Sequence, residues 1–146
     1  MTRSSQSIVM TTSNLNGRGW ILLVDDDAFL LDLAQALLEQ AGLQVLKAGN
    51  GVDALALFHS RTGGIQLLLT DLNMPKLDGV GLALEIRRER PNVPIVFMSG
   101  ELESIDLRPE LGECYLIAKP FRGDELIHCV RHALGIRRTP QPALSK

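Results

Sequence analysis

The stretch Ile65-Gln66-Leu67-Leu68-Leu69-Thr70-Asp71 decides the fold of this 146-residue chain. It is apolar along most of its length, and turn residues (Asn73, Pro75 and Asp78-Gly79) follow it closely. A run of this length and composition is typical of a strand buried on both faces, as in a parallel sheet. Asp71 is then expected at the carboxyl edge of the sheet, where open α/β folds place their chemistry.

Two other apolar runs end in charged residues. Ile21-Leu22-Leu23-Val24 leads into Asp25-Asp26-Asp27, and Tyr115-Leu116-Ile117-Ala118 leads into Lys119-Pro120. Because the ends of parallel strands meet at one edge of a sheet, these groups are expected to lie close to Asp71. Carboxylates from two strand ends and a lysine from a third can hold a divalent cation and a phosphoryl group together.

Helical patterns alternate with the strands. Apolar residues between Leu30 and Ala41 recur at helical spacing, and Gly42 is the expected end of that helix. A short strand is predicted from Gln44 to Ala48, and another from Ile95 to Met98 that ends at Ser99-Gly100. Five strands alternating with helices predict a doubly wound parallel α/β sheet, since right-handed crossovers are strongly preferred.

The fourth helix is the weakest element of this pattern. Pro109 interrupts the segment between Gly100 and Cys114, so a short or irregular helix is expected there. Residues 1–18 are polar and are interpreted as a flexible tail. Residues 19–136 then form one domain, and residues 137–146 form a second tail or a linker remnant.

Composition argues against several functions. A formal net charge of −2 and a pI near 5.9 argue against a nucleic-acid-binding surface. The basic cluster at Arg87, Arg88 and Arg90 is interpreted as a solvated helix end. Cys114 and Cys129 show no metal-ligand spacing and are interpreted as reduced thiols. No apolar run approaches the roughly 20 residues of a membrane helix, and no secretory segment is evident, so a cytoplasmic protein is expected.

Four motifs lie at strand ends, in this order: Val24-Asp25-Asp26-Asp27, Asp71-Leu72-Asn73-Met74-Pro75 with Asp78-Gly79, Ser99-Gly100 and Lys119-Pro120-Phe121. Together they resemble the receiver domain of bacterial two-component response regulators over about residues 20–135. This resemblance implies a flavodoxin-like (βα)5 sheet with strand order 2-1-3-4-5.

The resemblance implies that Asp71 accepts a phosphoryl group from a histidine kinase or a histidine phosphotransfer protein. Mg²⁺ would be held at Asp71 by Asp26 directly, by Asp25 mainly through bound water, and by the backbone carbonyl of Asn73. Asp27 is the expected N-cap of the first helix. Such a chain is not an enzyme, but a phosphoacceptor that assists its own phosphorylation and dephosphorylation.

Two further residues complete the implied site. Ser99 would hydrogen-bond one phosphoryl oxygen, and Lys119 would neutralise another; in the family the Lys-Pro bond is commonly cis. Receivers usually carry an aromatic residue three positions before this lysine, but Leu116 stands there and Tyr115 precedes it. A shift of one residue points a strand side chain to the opposite face, so the usual aromatic switch is not expected.

The leading interpretation is a signalling switch without an output domain of its own, acting on a downstream protein or passing the phosphoryl group along a relay. No nucleic acid or membrane partner is expected. The alternatives are a receiver cut from a hybrid histidine kinase or a longer regulator, and an interaction module independent of phosphorylation. A metal-dependent phosphohydrolase could use the spacing of Asp25 and Asp27, but no cap-sized insertion exists. A flavin-binding module of the same topology would need a hydroxyl- and Gly-rich phosphate-binding loop after the first strand. Asp25-Asp26-Asp27 stand there instead and would repel a phosphate group unless a metal ion intervened.

Overall fold

The computed structural model describes residues 19–61, 64–101 and 108–135. The two predicted tails therefore lie outside the described residues. No helix within these ranges is long and apolar enough to cross a membrane.

Strands and helices alternate along the described chain, as the sequence predicted. A 3-10 helix, Pro109–Leu111, precedes the last strand. The strands are β1 (Trp20–Val24), β2 (Gln44–Ala48), β3 (Ile65–Asp71), β4 (Ile95–Ser99) and β5 (Tyr115–Ala118), and the helices are α1 (Ala28–Gln40), α2 (Gly51–Ser60), α3 (Gly79–Glu89) and α4 (Gly123–Leu134).

The five strands form one parallel sheet in the order β2-β1-β3-β4-β5, which confirms the predicted flavodoxin-like topology. The pairing register brings the strand ends to a common edge. Val24 is opposite Thr70, Asp71 is opposite Met98, and Ser99 is opposite Ala118. The residues that follow β1, β3, β4 and β5 consequently meet at the carboxyl edge of the sheet.

Alternate residues of every strand point to opposite faces, so the apolar strands present an apolar surface on both faces of the sheet. Two helices cover each of these faces. One apolar cluster joins β1, β3 and β4 to α2 and α3, and includes Leu22, Leu68, Phe97, Phe58 and Ile86. The other joins the sheet to α1 and α4, and includes Ile21, Leu69, Met98, Leu38 and Val130. β3 is buried along almost its whole length, as expected for the central strand.

The start of α1 agrees with the prediction, but its apolar stripe is narrower than the sequence pattern suggests. The Asp27 carboxylate accepts hydrogen bonds from the backbone N–H groups of Phe29 (3.0 Å) and Leu30 (3.2 Å), so it is the N-cap. Ala34 and Leu38 are buried, whereas Leu33 remains 42% exposed. Helical spacing predicts Leu33 on the apolar side, but its side chain is only partly covered.

The interpretation of the basic cluster as a solvated helix end is wrong for Arg87, whose guanidinium is bound to the protein backbone. Its guanidinium donates to the backbone carbonyl of Val93 through Nε (3.2 Å) and Nη2 (3.1 Å), and through Nη1 to that of Leu111. Arg87 thus connects α3 to the loop before β4 and to the 3-10 helix. The short or irregular helix predicted between Gly100 and Cys114 corresponds to the 3-10 helix Pro109–Leu111. Residues 102–107 of that segment lie outside the described residues.

Candidate functional site

Three carboxylates meet at the carboxyl edge of the sheet. Asp25 follows β1, Asp26 follows it in turn, and Asp71 ends β3; one oxygen of each lies within 4.8 Å of the others. Asp25 and Asp71 are buried, at 1% and 7% exposure, while Asp26 is exposed. The predicted metal ligands are therefore brought together, with two of the three negative charges shielded from water.

Lys119 reaches this cluster from the end of β5. Its Nζ lies 2.8 Å from Asp25 Oδ2 and 3.3 Å from Asp71 Oδ1. The Lys119-Pro120 peptide bond is cis, as the resemblance implied. One ammonium group thus contacts carboxylates from two different strand ends, and its direct contact with Asp25 was not predicted from the sequence.

The electrostatics of the pair follow from burial and charge. Burial, and next the negative charge of Asp25, raise the pKa of the Asp71 carboxyl, although Lys119 and the backbone of Asn73 act in the opposite direction. Burial alone would lower the pKa of Lys119. Its hydrogen bonds and charge interactions with Asp25 and Asp71 outweigh that effect and raise this pKa. The lysine is therefore firmly protonated, and the acidic cluster retains an excess of negative charge.

Asp25 uses both of its carboxylate oxygens in contacts with the protein. Oδ2 faces Lys119, and Oδ1 accepts a hydrogen bond from the backbone N–H of Asp27 (2.9 Å). The side chain of Asp27 in turn accepts hydrogen bonds from the first turn of α1. These successive hydrogen bonds connect the start of the helix to Asp25. Asp26 lies between them and points its exposed carboxylate to the same cluster.

The turn after β3 depends on the absence of a side chain at Gly79. The Gly79 N–H donates to the carbonyl of Leu72 (2.9 Å). A Cβ atom at Gly79 would overlap the backbone carbonyl of Asp71 and come within 2.9 Å of Leu72 Cα. The hydroxyl of Thr70 donates to that same Asp71 carbonyl (2.9 Å). Sequence reasoning assigned Gly79 only to a turn, and its direct packing behind Asp71 was missed.

Ser99 is placed at the end of β4, where it is 2% exposed. Its hydroxyl oxygen accepts a hydrogen bond from the Glu101 N–H (3.0 Å), and its carbonyl accepts one from the Lys119 N–H (2.8 Å). The latter bond joins the ends of β4 and β5 next to the acidic cluster. A Cβ atom at Gly100 would meet no atom within 4 Å, so the side-chain space beside Ser99 is open.

Tyr115 and Leu116, the two residues of β5 considered for an aromatic switch, lie on opposite faces of the sheet. Tyr115 packs with the cluster under α4, and its ring meets that of His132 edge to face, with centroids 5.5 Å apart. Leu116 is 41% exposed and follows Tyr115 in an extended strand, so it points to the other face. The structure thus agrees with the prediction that Tyr115 does not replace an aromatic residue at position 116.

The donor set suits a hard divalent cation. Carboxylate oxygens are the ligands that Mg²⁺ prefers, and it usually binds through only one or two of them while keeping several waters. Two buried carboxylates balanced by a single lysine leave uncompensated negative charge that such a cation would offset. The exposed Asp26 leaves that side of the cluster open to water.

Comparisons with known proteins agree with this geometry. A family model described as "Response regulator receiver domain" matches residues 21–131. The chain is 39% identical over 125 residues to the "Transcriptional regulatory protein CpxR homolog" of Haemophilus influenzae, covering 84% of this chain and 52% of that protein. It is 31% identical over 129 residues to "Sensor kinase CckA" of Brucella abortus, covering 86% of this chain and 14% of that one.

A solved structure shows the same fold. The receiver domain of NtrX from Brucella abortus superimposes with a TM-score of 0.71 at 32% identity, covering 79% of this chain and 98% of that domain. The chain spans about half the length of several of the curated regulators it matches, and a much smaller part of the sensor kinase.

Proposed function

The chain belongs to the response regulator receiver domain family, and from this premise we propose that it is a phosphorylation-dependent switch with Asp71 as the phosphoacceptor. Phosphorylation and Mg²⁺ dependence are general properties of this family. The single observation that carries the assignment is the contact of one lysine, Lys119, with the carboxylates of both Asp25 and Asp71.

In the proposed reaction, a carboxylate oxygen of Asp71 attacks the phosphorus of a phosphohistidine. A P–O bond forms, the P–N bond breaks, and the imidazole nitrogen leaves with the electron pair of that bond. The product is an acyl phosphate on Asp71. An ionised carboxylate needs no general base for this attack, so the demand on the site is mainly electrostatic.

Three groups would meet that demand. Bound at Asp25, Asp26, Asp71 and the backbone carbonyl of Asn73, Mg²⁺ supplies positive charge that offsets the repulsion between the acidic cluster and an anionic phosphoryl group. Lys119 is already held between the carboxylates of Asp25 and Asp71 and would turn to a phosphoryl oxygen once Asp71 is phosphorylated. The hydroxyl of Ser99, at the open position beside Gly100, would donate to another phosphoryl oxygen.

The proposed partners follow from the family. Receiver domains interact with histidine kinases or histidine phosphotransfer proteins, and we propose such a donor for this chain. We likewise propose that the output is contact with a downstream protein. The matched regulators are about twice as long as the aligned region, so their full length is not represented in this comparison. The net charge of −2 supports a protein rather than a nucleic acid as the partner of this domain.

Intact-protein mass after incubation with acetyl phosphate tests the assignment. We expect one phosphoryl adduct that is acid-stable and base-labile, that requires a divalent cation, and that is absent from Asp71→Asn. Asp32→Asn is the matched control, because Asp32 is an exposed aspartate of α1 paired with Lys47 at 2.8 Å. An adduct that persists in Asp71→Asn, or its absence from a folded wild-type protein that also binds no beryllofluoride, would contradict the proposal.

A further inference from the structure

Two histidines of α4 form a pair that the phosphoacceptor site does not use. His128 and His132 are one helical turn apart, and both are exposed. Their rings lie nearly parallel, at an interplanar angle of 9°, with centroids 6.3 Å apart. Spacing in the sequence alone does not show that these two rings lie side by side.

We propose that His128 and His132 form a binding site for a first-row transition metal ion such as Zn²⁺. Imidazole nitrogens are ligands for Zn²⁺, and two histidines at positions i and i+4 on one helix face can bind the same ion. The helix fixes the two Cβ atoms about 5–6 Å apart, so only side-chain rotations remain to be settled.

The rings are close together, but their nearly parallel planes do not direct both nitrogen lone pairs at one point, so binding requires the side chains to rotate. A metal ion lies about 2.0–2.1 Å from each coordinating nitrogen, which requires the rings to approach slightly more closely than 6.3 Å. Both side chains are exposed and can make this adjustment by rotation between ordinary rotamers. The T-shaped contact between Tyr115 and His132 supports one ring from the side of β5 and limits its range of orientations.

Charged groups of both signs lie near the pair, since Arg131 is next to His132 on the same helix. Asp124 lies one turn before His128 on the same helix, and Glu125 lies three residues before it. Arg122 pairs with the Asp124 carboxylate at 2.7 Å, so this acid is not proposed as a ligand. Two protein nitrogens then occupy part of the coordination shell, and water fills the remainder.

The proposed site differs in chemistry from the acidic cluster. Mg²⁺ prefers the carboxylate oxygens of Asp25, Asp26 and Asp71, whereas imidazole nitrogens select Zn²⁺, Ni²⁺ and Cu²⁺. An excess of Mg²⁺ can therefore occupy the oxygen site while leaving the histidine pair available. This selectivity allows the two sites to be separated in one experiment.

The test is a titration with Zn²⁺, in millimolar Mg²⁺, of the full chain without a polyhistidine tag, followed by NMR of the imidazole resonances. We expect saturable shifts of His128 and His132, while His59, which is paired with Glu89 on another face, remains unchanged. His128→Gln and His132→Gln should each weaken Zn²⁺ binding at least tenfold, whereas His59→Gln should leave it within twofold of wild type.

Two results would overturn the proposal. One is an equal response of all three histidines, which would indicate non-specific binding. The other is wild-type Zn²⁺ affinity in both His128→Gln and His132→Gln. Because both residues are exposed, the variants are expected to fold, and the far-UV circular dichroism spectrum checks this.

Discussion

The centre of the sheet and its β5 edge differ sharply in burial, although both contribute to the same site. β3 is covered on both faces and supplies Asp71, whereas β5 is a partly exposed edge strand and leads into Lys119. The carboxylate and the ammonium group therefore come from strands that differ in burial. The comparison suggests that the central strands fix the position of the phosphoacceptor, while the edge can adjust when the charge at the site changes.

The largest expected effect comes from shortening the same side chain in both regions. Leu68 is completely buried in β3, so Leu68→Ala should lower the free energy of unfolding by about 3 kcal/mol through lost packing and a cavity. Leu116→Ala, at a 41% exposed position of β5, should change it by less than about 0.5 kcal/mol. Urea denaturation measures both. Similar losses would show that β5 is as tightly packed as β3.

The next effect tests the turn behind Asp71. Gly79→Ala places a methyl group against the Asp71 carbonyl and Leu72 Cα, and should cost about 2 kcal/mol while also slowing phosphorylation by acetyl phosphate. Gly49→Ala is the control, because its added methyl group would meet nothing within 4 Å. Equal stability of the two variants would mean that the turn relaxes without displacing the phosphoacceptor.

A smaller effect concerns the charge gathered at the central strands. The raised pKa of Asp71 means that the folded state binds a proton more tightly than the unfolded state, so ionisation of Asp71 costs stability at neutral pH. Asp71→Asn should therefore stabilise the metal-free protein at pH 7, by less than the loss expected for Gly79→Ala. This gain should shrink as the pH falls toward the ordinary carboxyl pKa.

Chemical denaturation at several pH values, with and without Mg²⁺, measures this difference. Added Mg²⁺ should stabilise the wild type more than Asp71→Asn and so reduce the gap between them. Asp32→Asn, on the exposed face of α1, should show no comparable gain. A destabilised Asp71→Asn at pH 7 would show that Lys119 outweighs burial and the repulsion from Asp25.

The smallest effect lies in the loop that joins β3 to α3. Lys76 has a φ angle of 69°, a left-handed conformation that disfavours any residue with a Cβ atom. Lys76→Gly should stabilise the protein by about 0.5 kcal/mol, since relief of this strain is partly offset by the greater freedom of glycine in the unfolded chain. Lys76→Ala is the control, because it removes the lysine side chain but keeps the Cβ atom and therefore the backbone strain. The midpoints of thermal unfolding of Lys76→Gly and Lys76→Ala are compared.

The sequence predicted the fold because β1, β3, β4 and β5 are largely apolar runs that end in, or lead directly into, polar residues. β2 and β3 have the bounds expected from the sequence, and the carboxylates and Lys119 meet at the edge where the strand ends were expected. Asp27 was also expected as the N-cap of α1. These features follow from local patterns and from the parallel topology, both of which are visible in the sequence.

Other features depend on distances that no sequence pattern contains. The contact of Lys119 with Asp25 requires the lengths of two loops and the orientation of a long side chain. The close packing of Gly79 behind Asp71 depends on the path of the turn. Arg87 was assigned to solvent because its neighbours in sequence are basic, whereas its guanidinium is directed at the carbonyls of Val93 and Leu111.

The position of Arg87 has a further consequence for how the β4 side of the domain can move. Val93 precedes β4, and Leu111 ends the 3-10 helix, so one guanidinium fastens both ends of the chain segment that contains Ser99. A rearrangement that begins at Ser99 is therefore expected to leave Val93 and Leu111 bound to the same side chain of α3.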